Sequence, residues 1–554
     1  MGTDFSSNIS KEDNLWRSFF LSAMKFGDKI AYKADGGLGK SYSYKEALEI
    51  VSQFGAGIKD KCTDETEIGL LSENRPEWPI SYLAILNAGK TVVPIDANLK
   101  PAEKKNIIDN ARLKTVIVSD SQKDSISDID NDLKLILISD DSENGWHNYF
   151  QRPTEQIEIS SDKTAALIYT SGTTGNPKAV MLTHSNLLHN LSSIGSCCQC
   201  SETDIFLSVL PLHHTLECTC GFLTPFSCGA QVVFARSLKS KEIVEDIKHS
   251  NATMMIGVPL LFEKMYDSIT RKIKKAPLVR RILFKILFSL SWLGWKFGFK
   301  LGHGLFKSMR EKAGLSTIRI FVSGGAPLPK KIAVFFNLIG FTLLEGYGLT
   351  ETSPVLTANR VDDIKFGSVG KAVAGVEIKI DKPDKNGIGE IIARGGNITP
   401  GYKDNTEATA ELIRNGWLYT GDLGKLKNGY LYITGRAKNL IVSAAGKNIY
   451  PEEIEEHLLA SPYILEAVVF GRKKQNKQGE DVLAVIVPDL EQIAIDFDIS
   501  PDSPDMTELK KVMDKIIAEI NSSMSSYKRI NSFEIQLEEL EKTSTKKVKR
   551  FVYG

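Results

Sequence analysis

Charge of one sign, internal repeats and a disulfide framework are all missing from this chain. Lys and Arg number 69 against 68 Asp and Glu, a formal charge of +1, so nothing global points to nucleic acid as a partner. No repeat or low-complexity tract interrupts the sequence, which excludes a solenoid architecture. Residues 1–14 lack an apolar h-region, so a cytoplasmic rather than a secreted protein is expected; Gly2 and Ser6 fit only the short N-myristoylation pattern. The seven cysteines are an odd number, and six crowd into residues 197–228 without the spacing of two C-x₂₋₄-C pairs. Even with His213 and His214 nearby, that favours buried free thiols over a disulfide frame or a metal site.

What the chain does have is length and alternation. At 554 residues, 42% apolar and 25% charged, it has the composition of a globular protein too long for one hydrophobic core, so two or more domains are expected. Helical and strand-like periods alternate from the start, as an α/β fold requires. The spacing predicts a helix over 44–58, a strand over 68–71, a helix over 79–89, a strand over 91–94, a helix from Pro101 and a strand over 115–118. Near the other end a Gly-turn hairpin over 428–433 precedes a helix from Pro451, strands over 467–471 and 482–487, a helix around 506–524 and a charged tail. This predicts a large N-terminal multi-layer α/β domain over 1–437 and a small α+β domain over 438–554, with the boundary at Lys438.

The most informative stretch is residues 169–184, YTSGTTGNPKAVMLTH. A short apolar run ends in a loop of Thr170, Ser171, Gly172, Thr173, Thr174 and Gly175, closed by Pro177-Lys178. Glycines let backbone approach an anion, hydroxyls and N–H groups donate to it, and Lys178 adds a mobile positive charge: the makings of a polyphosphate cradle. A Walker A loop would set Gly-Lys-Ser/Thr at the start of a helix. Here a second apolar stretch follows Lys178, so the loop is expected between two strands.

Three further segments carry chemistry. Ser323-Gly324-Gly325-Ala326 ends a strand in a double-glycine turn that lets a flat ring lie against backbone. Then comes Glu345-Gly346-Tyr347-Gly348-Leu349-Thr350-Glu351. Tyr347 can offer its ring face to a base, the Thr350 hydroxyl can reach an α-phosphate, and Glu351 is a hard oxygen ligand suited to Mg²⁺. Asp422, in Thr420-Gly421-Asp422, can accept both hydroxyls of a ribose, and Arg436 can add a charge-assisted contact to ribose or phosphate. Taken singly, these are also a core tyrosine, a helix cap and a turn-former. The tail 543–550, TSTKKVKR, passes for a solvated basic end.

Taken together and in this order, the segments resemble the adenylate-forming (AMP-binding) superfamily of acyl-CoA synthetases, peptide-synthetase adenylation domains and luciferases. The tail resembles that family's last motif, Thr-x-x-Gly-Lys, with Lys546 in place of the glycine and Lys547 as the adenylation lysine. Pro211-Leu212-His213-His214, Gly257-Val258-Pro259 and the stretch from Ala445 through Gly446 and Lys447 to Glu453 extend the match over most of the chain. The resemblance implies a large N-terminal domain and a mobile C-terminal lid hinged at Lys438, with the active site between them. It implies that ATP meets residues 170–175, Lys178, Gly324, Gly325, Ala326, Glu345, Gly346, Tyr347, Gly348, Thr350, Asp422, Arg436 and Lys547, with Mg²⁺ at Thr170 and Glu351. Carboxylate attack on the α-phosphorus would expel pyrophosphate, with Lys547, Thr350 and Glu351 as the catalytic set. A thiol would then displace AMP, entering past Gly446 and Lys447, while His213 and Gly257 border the acyl pocket.

The whole pattern, including a long insert before Ser323, is similar to bacterial long-chain fatty acyl-CoA synthetases. This implies a fatty acid and coenzyme A as substrates; acyl carrier protein as acceptor and a homodimer stay open. Between residues 268 and 315 stand twelve Lys or Arg against the single acid Glu311, interleaved with Trp, Phe, Ile and Leu. The uncharged run over 286–295 is about half a membrane span. At helical pitch Lys274, Arg281, Lys285, Lys296, Lys300, Lys307 and Arg310 fall on one arc, although Pro277, Gly294, Gly298 and Gly302 break a straight helix. Peripheral contact with an anionic membrane, on its inner face, is the expectation; a solvated basic hairpin is the alternative. Adenylation of an amino or aryl acid, with Glu217 near enough to meet an ammonium, remains a second reading, as does an oxygenating luciferase. A non-catalytic adenylate or acyl binder is a third, against which the intact Lys178, Glu351, Asp422 and Lys547 speak.

Overall fold

The computed structural model describes residues 14–127, 129, 132–139, 144–153, 158–170, 177–443, 447–473, 479–497, 499–542 and 548–553. The chain forms two compact units, one of residues up to 378 with 393–418, the other of 379–392 with 419 onward. Lys438 lies inside the second unit.

The first unit is built on two mainly parallel sheets. One runs in the order Lys134–Leu137, Thr115–Val118, Glu67–Leu71, Thr91–Ile95, Thr164–Thr170, Lys178–Thr183, parallel except for the last pair. The other has nine strands, with Thr342–Gly348, Ile320–Ser323, Met254–Gly257, Ile205–Ser208, Gln231–Phe234 and Ile30–Lys33 parallel through its middle and antiparallel strands at both edges. Central parallel strands are covered on both faces, which is why Val92, Val93, Val116, Ile117 and Val118 are all buried in near-continuous apolar runs. The helix expected over 44–58 runs Tyr44–Lys61. Ser43 and Glu46 close a capping box at its start, and Ala47, Val51, Phe54 and Ile58 bury one face at helical spacing. The strand over 115–118 falls as expected, and the helix over 79–89 begins earlier, at Glu77. All seven cysteines are free thiols, buried except for the half-buried Cys200.

The second unit holds a hairpin turned by Asn428 and Gly429, both at positive φ (53° and 81°), which matches the twist of its strands. Strands Ile464–Lys473, Glu480–Pro488 and Ser532–Ile535 form a sheet packed by helices Pro451–Leu459 and Met506–Ser523, with Ile454, Leu458, Leu509 and Met513 fully buried.

Residues 268–315 are a set of helices, with Pro259–Lys274 followed by Leu278–Lys296, Gly302–Leu305 and Lys307–Ala313. Pro277 and Gly298 lie in the breaks as expected, whereas Gly294 stays inside a helix with the Leu301 side chain against it. The single basic arc does not survive. Arg310 is 3% exposed and donates to the carbonyls of Ile339 (2.9 Å) and His303 (2.7 Å), because carbonyls left over at helix ends need a donor there. Leu278–Lys296 is apolar on both sides. Phe284, Phe288 and Ser291 face inward, the Ser291 hydroxyl donating to Leu338 O at 2.7 Å, while Val279, Leu283, Ile286 (53% exposed) and Leu293 face outward. Among the described residues no helix is long and apolar enough to cross a membrane.

Candidate active site

Two strands bring the phosphate-loop residues together. Thr164–Thr170 and Lys178–Thr183 pair antiparallel with Thr170 opposite Lys178, so the loop lies between two strands, as its sequence implied. Ser171, Gly172, Thr173, Thr174 and Gly175 lie outside the described residues. The Lys178 ammonium stands 4.9 Å over the centroid of the Tyr402 ring, and the Tyr402 hydroxyl donates to Oε1 of Glu351 at 2.7 Å. Backbone ties close the group: Val180 bridges Tyr402, Met181 N donates to Gly401 O (3.0 Å), and Thr399 N donates to Glu351 O (2.9 Å). A cation, a phenol and a carboxylate from three distant segments thus meet. Burial and then the Glu351 charge hold the Tyr402 phenol well above its ordinary range, so it stays a donor.

The turn carrying Thr350 and Glu351 rests on two buried amides. Asn190 Nδ2 donates to Val355 O (2.8 Å), and Asn397 Nδ2 donates to the carbonyls of Thr352 and Val355 (2.9 Å each). Ser353 Oγ in turn donates to Asn397 O at 2.9 Å. The Asn190 amide is satisfied at both ends, its Oδ1 accepting from Val355 N at 3.2 Å, whereas Asn397 Oδ1 is buried without a partner; such buried amide contacts fix a turn without charge. Thr170 and Glu351 offer hydroxyl and carboxylate oxygens, a donor chemistry that fits Mg²⁺.

Gly346, Tyr347 and Gly348 are half-buried on the last residues of Thr342–Gly348. A Cβ on Gly348 would stand 1.8 Å from Pro354 O, so no side chain fits there. Gly325 has room for one but sits at φ 82°, where glycine is favoured. Gly324 N donates to Gly257 O at 3.2 Å, and Ala326 is exposed. Gly257, Ser323 and Glu345 pair across three adjacent parallel strands and so share one face of the sheet. Glu345 is buried, which pushes its carboxyl up to about 8.

The loop bearing His213 is pinned by Asn74, which accepts from Leu212 N (3.0 Å) and donates to Leu210 O (2.6 Å). After it, a π-helical turn, Glu217–Leu223, buries Glu217 completely with neither carboxyl oxygen hydrogen-bonded. Burial pushes that carboxyl up to about 8. Neutral at pH 7, it lacks the charge an ammonium would need.

In the second unit Asp422 and Arg436 face each other across the hairpin, Arg436 Nε lying 2.9 Å from Asp422 Oδ1, with Asp422 buried and Arg436 exposed. The two residues assigned to a nucleotide by their sequence are thus each other's partners. Lys438 is exposed in the turn Ala437–Asn439. The Lys447 ammonium lies 4.4 Å over the Tyr527 ring, while Gly446 and Lys547 lie outside the described residues. Lys547's flanks are held. Lys542 pairs with Glu466 and Glu539, and Val548 bridges Lys542. Arg550 donates to Val469 O at 2.7 Å and pairs with Glu455 and Glu452. Burial raises Glu455 to about 7 even against the opposing pull of Arg550.

Tyr402, Asn190, Asn397, Asp96 and Arg550 were not singled out by sequence. Arg550 ends the basic tail 543–550 and the others sit in no dense motif, and each is defined by a partner far away in the chain.

The AMP-binding enzyme family model matches residues 19–403, and that of the AMP-binding enzyme C-terminal domain matches residues 453–547. Fatty acyl-CoA synthetase B of Dictyostelium discoideum is 29% identical over 92% of this chain and 83% of its own length. A chloroplastic long-chain-fatty-acid–(acyl-carrier-protein) ligase of Arabidopsis thaliana is 28% identical over 88% and 77%. The ATP-bound crystal structure of MatB from Rhodopseudomonas palustris superposes with a TM-score of 0.77 at 25% identity, over 96% of this chain and 98% of that one.

Proposed function

The chain belongs to the AMP-binding enzyme family, and on that premise we propose the reaction its residues carry out. It is an AMP-forming acid–thiol ligase that activates a long-chain fatty acid with ATP and passes the acyl group to coenzyme A. The observation that carries this reading is the convergence of Lys178, Tyr402 and Glu351 beside the strand pair that closes the phosphate loop.

Lys178 and residues 170–175 hold the β- and γ-phosphates. Mg²⁺, held by Glu351 and the Thr170 hydroxyl, would neutralise phosphate charge. Tyr402 orients the Glu351 carboxylate, and Thr350 meets the α-phosphate. The slot between Gly324–Ala326 and Glu345–Gly348 takes the adenine, with Tyr347 against it, and Asp422 with Arg436 reads the ribose. Lys547 bridges the acid's carboxylate and the α-phosphate, so that attack expels pyrophosphate in line. For the second half-reaction Lys438 acts as the pivot that withdraws Lys547, and Gly446 with Lys447 borders the thiol's path. His213 and Gly257 border the acyl chain.

Coenzyme A is the proposed acceptor; the Arabidopsis relative keeps acyl carrier protein as the second reading. The outward face of Leu278–Lys296, with exposed Leu283, Ile286 and Leu293, is proposed to rest on an anionic membrane from which the acid is drawn, with Arg280, Arg281 and Lys285 exposed elsewhere on the same helix. AMP and pyrophosphate release should be measured across acetate, octanoate, palmitate, an aryl acid and amino acids, with coenzyme A and with carrier protein. Release that requires palmitate and coenzyme A is expected; release with an amino acid alone would overturn the reading.

A further inference from the structure

Asp96 follows the strand Thr91–Ile95 of one sheet, and His213 and His214 lie in the loop after Ile205–Ser208 of the other. One ligand atom from each of the three lies within 4.8 Å of the other two. The two imidazoles are neighbours in space as in sequence, with ring centroids 4.2 Å apart and planes inclined by 48°.

The spacing is wrong for one interaction and right for another. His213 Nε2 stands 3.3 Å from Asp96 Oδ2, both side chains nine-tenths or more buried, and Nε2 makes no hydrogen bond. A charge-assisted N–H···O⁻ contact would close to about 2.7–2.9 Å. Two donors on a tetrahedral ion with bonds of about 2.0–2.1 Å stand roughly 3.3–3.4 Å apart. A buried ring nitrogen without a hydrogen bond, aimed at a carboxylate from that distance, is placed as a metal ligand would be. The carboxylate is itself oriented, its Oδ1 accepting from Asn98 N at 2.8 Å and from Asn98 Nδ2 at 3.3 Å, as outer partners of a ligating carboxylate do. The loop's attachment to Asn74 fixes the two histidines from the other side.

We propose that Asp96, His213 and His214 form a three-ligand site for a divalent transition ion of the Zn²⁺ class. Two imidazoles and a carboxylate select Zn²⁺, Co²⁺ or Ni²⁺ over Mg²⁺, whose preference is for oxygen alone. Three protein ligands leave a fourth tetrahedral position for water or a small exogenous donor. The cysteines take no part. The site is separate from Thr170 and Glu351 and does not depend on which acid the enzyme activates.

The test is a Co²⁺ titration of the metal-stripped full chain followed by visible absorption. One equivalent should give the intense d–d bands of a four-coordinate nitrogen and oxygen site, without a thiolate charge-transfer band, and one equivalent of Zn²⁺ should abolish them. Asp96→Asn and His214→Gln should each weaken binding at least tenfold, whereas Glu351→Gln should leave it unchanged. Thermal unfolding and circular dichroism without metal establish that each variant is folded. With Zn²⁺ the melting temperature should rise in the wild type and in neither ligand variant. The absence of a Co²⁺ spectrum in the wild type, a thiolate band, or a spectrum that both ligand variants preserve would overturn the proposal.

Discussion

The Tyr402 hydroxyl donates to Oε1 of Glu351 at 2.7 Å while its ring lies beneath the Lys178 ammonium. One phenol thus joins the residue proposed to hold the metal to the residue proposed to hold the phosphates. Hydrogen bonds to charged groups contribute about 1.5–3 kcal/mol. Tyr402→Phe should therefore lower kcat/KM for ATP about 10–100-fold and raise the Mg²⁺ concentration needed for half-maximal pyrophosphate release, since 1.4 kcal/mol is about a factor of ten. The ring remains, so the melting temperature should barely move. Unchanged ATP and Mg²⁺ dependence would separate Tyr402 from the site.

Glu217 makes stability depend on pH. Its folded-state value of about 8 stands above the ordinary 4.5, so the folded chain binds the extra proton. The stabilisation is complete below about 4.5 and is lost as pH rises through about 8. Glu217→Gln has no such titration. The wild type should lose stability relative to that variant by up to about 1.4 kcal/mol per pH unit across this window, as read from urea unfolding at several pH values. Parallel profiles would show that the carboxyl is not buried as described.

Arg550 neutralises carboxylates beside the loop that carries Lys547. Arg550→Met leaves Glu455 and Glu452 without it, and breaking a largely buried pair costs about 3 kcal/mol. The loss should be larger at pH 9 than at pH 6, because Glu455, already raised to about 7, escapes part of the cost by taking a proton. Chemical denaturation at both pH values measures this; a loss independent of pH would assign Arg550 a packing role only.

The outward face of Leu278–Lys296 makes the membrane proposal testable without touching the nucleotide residues. Replacing Leu283, Ile286 and Leu293 together by Glu should abolish flotation with anionic liposomes and leave turnover of a short soluble acid within about twofold, because surface changes of this kind move stability by about 0.5 kcal/mol or less. Binding that survives both this change and neutralisation of Arg280, Arg281 and Lys285 would favour a solvated face.

Legibility followed sequence distance. The strand–loop–strand around Lys178 could be read because apolar runs flank a dense Gly/Ser/Thr loop, and the register of Thr170 opposite Lys178 agrees. The helix at Tyr44 declared itself through its helical periodicity, and the structure adds a capping box at its start. Glu351 was visible as a carboxylate, but Tyr402, which orients it, stands 51 positions away with no motif of its own. Arg310 was misread as surface because periodicity places a residue on an arc without saying what covers it. Three backbone carbonyls at the ends of short helices, those of Gly302, His303 and Ile339, draw it inward. Asp422 and Arg436 were each read as ligands, fourteen residues apart, and a hairpin register makes them partners. The Asp96–His213 contact joins two sheets and had no local signal.

The division of labour between the half-reactions is tested most directly by Lys547→Ala. Carboxylate-dependent pyrophosphate exchange and thioester formation from supplied acyl-adenylate should be measured on the same preparation. The account expects exchange to fall by at least about a hundredfold, as removal of a charge that acts only in the transition state does, while thioester formation stays within about threefold. Equal loss of both activities, or exchange that persists, would contradict it.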